Sequence, residues 1–211
     1  MTTVLAGAAA HNAGEYAVAR VIWAGEAPVD PGADPDDAKT ADEPSDDLRD
    51  GLAAFATAVT ASRRGDWSSA LDAATDAELA LDSLTEGREV DLGPIRRWLA
   101  AFGADPEVAE RSPPPTVAVD GDRPTPGELP LSAAAVVAGA VAAARGDDPA
   151  VVADALRFAR DDERPESTRY ATFLRDYAGA EPSGRAIVFE RLAGVVARQR
   201  RKEDDVEGLF E

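Results

Sequence analysis

An all-α fold, with an N-terminal helical-hairpin bundle and a smaller C-terminal helical bundle, is predicted by three features of the sequence. The hydrophobic share of 45% is dominated by alanine, with aromatics at only 6%. Ala is the strongest helix former, and β-branched runs are short and scattered. Apolar residues such as Ile95, Trp98, Leu99 and Phe102 recur at the spacing of one helix face. Stretches rich in glycine and proline separate these periodic segments. At 211 residues the chain can bury a core and divide it between two helical units.

Two helices are expected over residues 2–13 and 15–26, meeting at Gly14, which can take the left-handed conformation that closes a helix. From Pro28 to Asp47 the run PVDPGADPDDAKTADEPSDD reads as a solvated loop. Asp46 or Asp47 can cap a helix running to Gly65, and a further helix follows Trp67. Asp91 can cap the helix that carries Trp98, and Asp105-Pro106 begins a short last turn. Residues 1–111 are thus read as one helical domain, and 112–130 as a proline-rich linker with a short extended piece, TVAV, before an Asp-Gly turn. In residues 131–202, four helices form the second bundle: one capped by Ser132 and ending at Gly146, one begun by Asp148-Pro149, one marked by Tyr170 to Tyr177, and one by Ile187 to Val196. Residues 203–211 form an acidic-apolar tail.

Forty acids against 22 bases give a formal net charge of −18 and a pI near 4.4, with lysine only at Lys39 and Lys202. Such an acidic, arginine-biased profile resembles halophilic proteins, in which concentrated salt screens self-repulsion within a few ångströms. No basic face is left to release counterions from a nucleic-acid backbone, so direct nucleic-acid binding is not expected. With no cysteine, disulfides, thiolate metal sites and a cysteine nucleophile are excluded together. No apolar run approaches the roughly 18 residues of a membrane span, and no basic region precedes an apolar segment at the N-terminus. The expectation is a cytoplasmic protein without a membrane partner.

One motif occurs twice. Gly14-Glu15-Tyr16 with Ala19 returns as Gly65-Asp66-Trp67 with Ala70. In each, glycine ends a helix, the acid favours the positive N-terminal end of the next, and the aromatic covers the corner. A third copy is not convincing at Gly146, so the segment reads as a pair of helical hairpins and not as an array. These residues resemble the family called domain of unknown function 309. Its members carry Asn-x-Gly-Glu-Tyr, x-x-Ala and then His-x-x-x-Glu-x-x-Trp on the second helix, and a second signature similar to GLAAFATAVTASRRGDWSSALDAA here. The resemblance spans about Val4 to Arg111. It implies an all-α hairpin fold and metal ligands one helical turn apart on one face. Here the family's histidine falls on Arg20, its glutamate on Ala24 and its tryptophan on Ala27, while the second signature's glutamine falls on Ala54 and its polar position on Thr60 or Ala61. Glu15, Tyr16 and Ala19 fit, with an additional Trp23. The metal motif is therefore degenerate, and no metal or other cofactor is expected.

The lone His11 reads as a capping or surface residue, since a single imidazole makes a poor transition-metal site. Arg20 either binds an anion in place of a lost metal or is a rim cation paired with Glu15 or with loop acids. Trp23, Trp67 and Trp98 either line a pocket or pack in the core. Asp34, Asp36, Asp37, Asp42 and Glu43 lack the glycine turn and terminal glutamate of a calcium loop, so solvation accounts for them. Without a Ser-His-acid set, phosphate loop or dinucleotide fingerprint, no catalytic residue is assigned. The candidate binding residues are Glu15, Tyr16, Arg20, Trp23 and Trp67.

In the tail, Glu203, Val206, Leu209 and Phe210 are spaced like the peptide by which many proteins plug into the replication sliding clamp, with Glu203 in the place of its usual glutamine. The alternative is an amphipathic tail packed on its own domain. The preferred function is a non-catalytic interaction or scaffold protein. Its alternatives are a metal-dependent hydrolase-like enzyme with carboxylate ligands and a clamp-associated accessory protein. Whatever the function, a charge of −18 makes stability depend on salt. The melting temperature should fall markedly between molar and low salt, and a calorimetric melt indifferent to salt would refute the halophilic reading.

Overall fold

The computed structural model describes residues 1–30, 45–84 and 90–207. Among them lie ten α-helices: α1 (Thr2–Asn12), α2 (Tyr16–Trp23), α3 (Asp46–Arg63), α4 (Trp67–Asp82), α5 (Gly93–Ala104), α6 (Val108–Arg111), α7 (Leu131–Arg145), α8 (Pro149–Arg160), α9 (Arg169–Gly179) and α10 (Arg185–Glu207). No strand forms there, only isolated bridges of Val119 with Val90 and with Asp122. The fold is all-α. No helix among the described residues is long and apolar enough to cross a membrane.

Two alanine-rich helices lie at the centre. In α1 every residue from Ala6 to His11 is buried, and in α7 every residue from Ala133 to Ala142. A helix that is apolar all round must be covered on all sides. Helices α2 and α7 both pack on α1, while α7 also meets α2, α8 and α9. Outside this pair, α3 and α4 form a long hairpin against α2, α5 leans on α4, and α10 covers α8 and α9. The larger side chains that fill the remaining space include Trp23, Phe55, Phe102, Leu81 and Tyr177, all fully buried. Each contributes on the order of 1.5–3 kcal/mol by leaving water.

Gly14 and Gly65 take left-handed conformations, with φ of 83° and 75°. At both corners the glycine N–H returns to the carbonyl three residues back and the following N–H to the carbonyl five back, the hydrogen bonds of a Schellman ending. The same pair of bonds closes α2 at Gly25 and α7 at Gly146, so the turn recurs at corners that lack the full sequence motif. At Gly146 the aromatic is supplied from elsewhere: Tyr177 of α9 donates its hydroxyl proton to Asp147 at 2.6 Å.

Several caps differ from the sequence reading. Ser45, one residue before the expected acids, caps α3 by accepting from the Leu48 N–H at 3.2 Å. Helix α7 begins at Leu131, and its first N–H is met at 3.0 Å by Glu166, 35 residues away, while Ser132 turns its hydroxyl to Arg160. Thr168 caps α9, unanticipated in sequence. Asp148 caps α8 as expected.

Residues 112–130 run as a strap across the α1 end. Val117, Val119 and Leu129 are buried, and Asp120-Gly121, both at positive φ, make the tight turn that the sequence signalled. Asn12 holds the strap: its side chain accepts from the Val117 N–H at 2.8 Å and donates to the Val117 and Pro124 carbonyls.

Close approach leaves no room for a Cβ at three helical glycines, one of them Gly51, which lies against Leu81. A Cβ on Gly7 would overlap the Trp23 indole, and one on Gly139 the Val29 side chain, whereas one on Gly194 meets nothing. Gly7→Ala should therefore cost about 1–3 kcal/mol through overpacking, while Gly194→Ala in mid-helix should stabilise by roughly 0.5–1 kcal/mol. Urea unfolding of the two variants checks this; equal midpoints would contradict the packing described.

Candidate functional site

The α1–α2 corner gathers several of the sequence candidates around His11. The histidine is neither a cap nor a surface residue. It is 2% exposed, because the 112–130 strap covers the end of α1. Its Nε2 lies 3.0 Å from the Pro115 carbonyl and so carries the proton as donor, while Nδ1 is buried without a partner. Tyr16 meets the ring edge-on at 4.9 Å, with Phe55 at 5.1 Å and Trp23 at 5.9 Å. From Phe55 the aromatic contacts continue to Trp98 and then to Phe102. Burial drives the imidazole pKa from 6.5 down to about 4, against the Pro115 hydrogen bond that favours the charged form.

Glu15 does not pair with Arg20. Its carboxylate binds Arg185, at the start of α10, at 2.7 Å, and the Arg185 side chain is only 7% exposed. Arg20 instead reaches Glu26 at 3.0 Å across the exposed surface. The reason is direction: Glu15 turns toward α10, while Arg20 lies on the face of α2 that looks to α3 and α7. Trp23 is fully buried and donates to the Val4 carbonyl at 3.3 Å. Trp67 is half-buried against the core at the second corner, and Arg63 sits 5.0 Å over the Tyr16 ring. The corner is thus a packed joint, with Glu15, Tyr16 and Trp23 used internally.

Arg20 opens onto a different feature. A groove of about 600 Å³ lies between α2, α3, the start of α4 and the end of α7. Its walls are Ala17, Arg20 and Val21 of α2, then Thr57, Thr60 and Ala61 along α3 with Arg64 just past its end. Ala140, Ala143 and Ala144 of α7 close the third side. Ala17, Ala143, Ala144 and Arg64 are exposed. Asp66 at the mouth caps α4, and hydrogen bonds from the Ser69 hydroxyl and N–H hold its carboxyl below the usual range. Arg20 and Thr60–Ala61, remote in sequence, are therefore brought together, and these are positions where the resembled family is expected to place ligands. Alanine and threonine bind no transition metal there, and Asp66 is the one carboxylate in the lining. Among the described residues, no group of three or more His, Cys, Asp or Glu is placed to hold a metal ion.

Sequence reading missed Arg64, Ala143 and Ala144. A faint signal existed, because the apolar run of α7 continues to Ala144, two residues past its last buried residue. In the tail, Glu203 belongs to α10 and is held by both Arg157 nitrogens, at 3.2 and 2.9 Å; these bonds also lower its pKa. Val206 lies in the last turn of α10, its side chain outside the described residues, as are Leu209 and Phe210 entirely. The loop acids Asp34, Asp36, Asp37, Asp42 and Glu43 also lie outside them. No family model, curated protein or solved structure matches this chain.

His11 gives a pH prediction. Its folded pKa, about 4, lies below the unfolded value of 6.5, so the unfolded chain binds the extra proton and stability falls as pH drops through that window. The contribution is complete above about pH 6.5 and lost by about pH 4, amounting to roughly 3 kcal/mol. His11→Gln should flatten this part of the stability–pH profile measured by urea unfolding; an unchanged slope would mean that the ring takes up its proton in the folded state.

Proposed function

We propose that the protein is a non-catalytic interaction module that keeps the hairpin plan of the domain of unknown function 309 family and uses the groove between α2, α3, α4 and α7 to hold a partner. The observation that carries this reading is the groove itself, where exposed Ala17, Ala143 and Ala144 form an apolar floor between Arg20 and Arg64. Apolar floors with charged rims suit protein docking, where the centre excludes water and the rim sets orientation. Chemistry would need a nucleophile with a base beside it, or a metal. The groove offers hydroxyls of Thr57 and Thr60 that donate to the Ala53 and Ala56 carbonyls of their own helix, with no imidazole near them.

The test is recovery of partners from native cells, in salt matching the cell's own, with the natural protein and with Ala143→Trp, which fills the groove from an exposed position. Partners recovered with the natural protein should be lost from the variant, at unchanged melting temperature. Equal recovery by both proteins, or a stoichiometric transition metal in the purified chain, would overturn the reading.

A further inference from the structure

We infer that the occupant of this groove is an acidic amphipathic helix, laid as a fourth helix against α2, α3 and α7; this rests on the docking reading above. Each wall is a helical stripe. Ala17, Arg20 and Val21 follow the i, i+3, i+4 spacing on α2, Thr57, Thr60 and Ala61 repeat it on α3 with Arg64 at i+7 capping its end, and Ala140, Ala143 and Ala144 repeat it on α7. Parallel ridges of this kind receive the complementary ridge of another helix, whose anchors fall at i, i+3, i+4 and i+7. Small side chains on the floor let a helix backbone come close, as α1 and α7 do inside the protein. Small-molecule pockets are lined by large apolar and aromatic groups that wrap the ligand. Among the groove's lining residues there is no aromatic, and its α7 side is open to solvent.

Charge specifies the sign of the partner. The chain carries −18 overall, yet the groove lining holds Arg20 and Arg64 with one carboxylate, Asp66, already engaged as a cap, while Glu26 pairs with Arg20 from outside the lining. Arg64 makes no ion pair among the described residues, and the Arg20–Glu26 pair is solvent-exposed and therefore weak. Glutamates flanking the apolar anchors of an incoming helix meet these guanidiniums, and that pairing offsets the repulsion from the surrounding acidic surface only where the helix is seated in the groove. A basic helix would instead be drawn to the acidic surface at large, without selection for the groove.

The test uses the full chain and two synthetic peptides of about 18 residues, long enough to be partly helical alone. Both carry the same Ala/Leu stripe at i, i+3, i+4 and i+7, flanked by Glu in one and Lys in the other. Titration by fluorescence anisotropy should show the Glu peptide binding with an affinity that falls at least tenfold in Arg64→Glu, is abolished by Ala143→Trp and is unchanged in Arg123→Glu on a distant surface. Melting curves of each variant confirm folding, and Ala17→Trp replaces Ala143→Trp if the latter is unstable. No binding of the Glu peptide at millimolar concentration, equal or tighter binding of the Lys peptide that survives Ala143→Trp, or indifference to Arg64→Glu would overturn the inference. Native partners lost from Ala143→Trp but retained by Arg64→Glu would leave the groove reading intact while removing the acidic helix; retention by both would remove the groove reading as well.

Discussion

The structure depends on the side-by-side burial of α1 and α7. Both helices expose almost nothing but methyl groups and backbone, so each gains little from any one contact and must be surrounded. Their small side chains allow close helix approach, and the gain is dispersion summed over many short contacts. The neighbours of the pair also come close enough to impose volume limits, seen where Trp23 lies on Gly7 and Val29 on Gly139. Around this pair the larger buried residues, such as Trp23, Phe55 and Phe102, sit on the outer helices.

Bringing two nearly featureless helices together leaves their ends as the main source of polar groups to satisfy. Remote side chains do this work. Glu166 meets the first N–H of α7 while Arg175 binds Glu166 and the Leu129 carbonyl, and Arg96 donates to the Leu81 and Leu84 carbonyls at the end of α4. Asn12 and His11 tie the strap to the end of α1, and Glu15 with Arg185 ties α10 to the same corner. Some of these links are local, as between Arg175 and Glu166, while Asn12, His11 and Glu15 reach segments more than a hundred residues away. Removing one partner leaves a buried polar or charged group unmet, which costs more than the bond itself contributes.

The groove follows from the same alanine pattern. Where α7 runs past its last buried residue, Ala143 and Ala144 continue the small-residue stripe into solvent and face a trough that α2 and α3 also line. Packing chemistry that elsewhere joins the protein's own helices is there left open between Arg20 and Arg64. The one imidazole of the chain is sealed under the strap, with Tyr16, Phe55 and Trp23 around its ring.

Local chemistry determined the helices and their corners. Alanine content, helical spacing around Trp98 and Leu99, Gly14 and Gly65 as left-handed stops, the Asp148 cap and the Asp120-Gly121 turn are all readable in sequence, because each acts through atoms a few residues apart. Corner residues Glu15, Tyr16 and Trp23 were legible as important but not in their roles. Whether an aromatic packs inward, or a carboxylate finds Arg185 instead of Arg20, depends on which helices become neighbours. The fate of His11 shows this most clearly: its position at a helix end suggested exposure, and only the return of Pro115 across that end buries it. Likewise the Gly146 corner borrows its aromatic from α9. The groove belongs wholly to tertiary structure, since stripes on α2, α3 and α7 become one surface only after α1 and α7 have packed and fixed where the others lie.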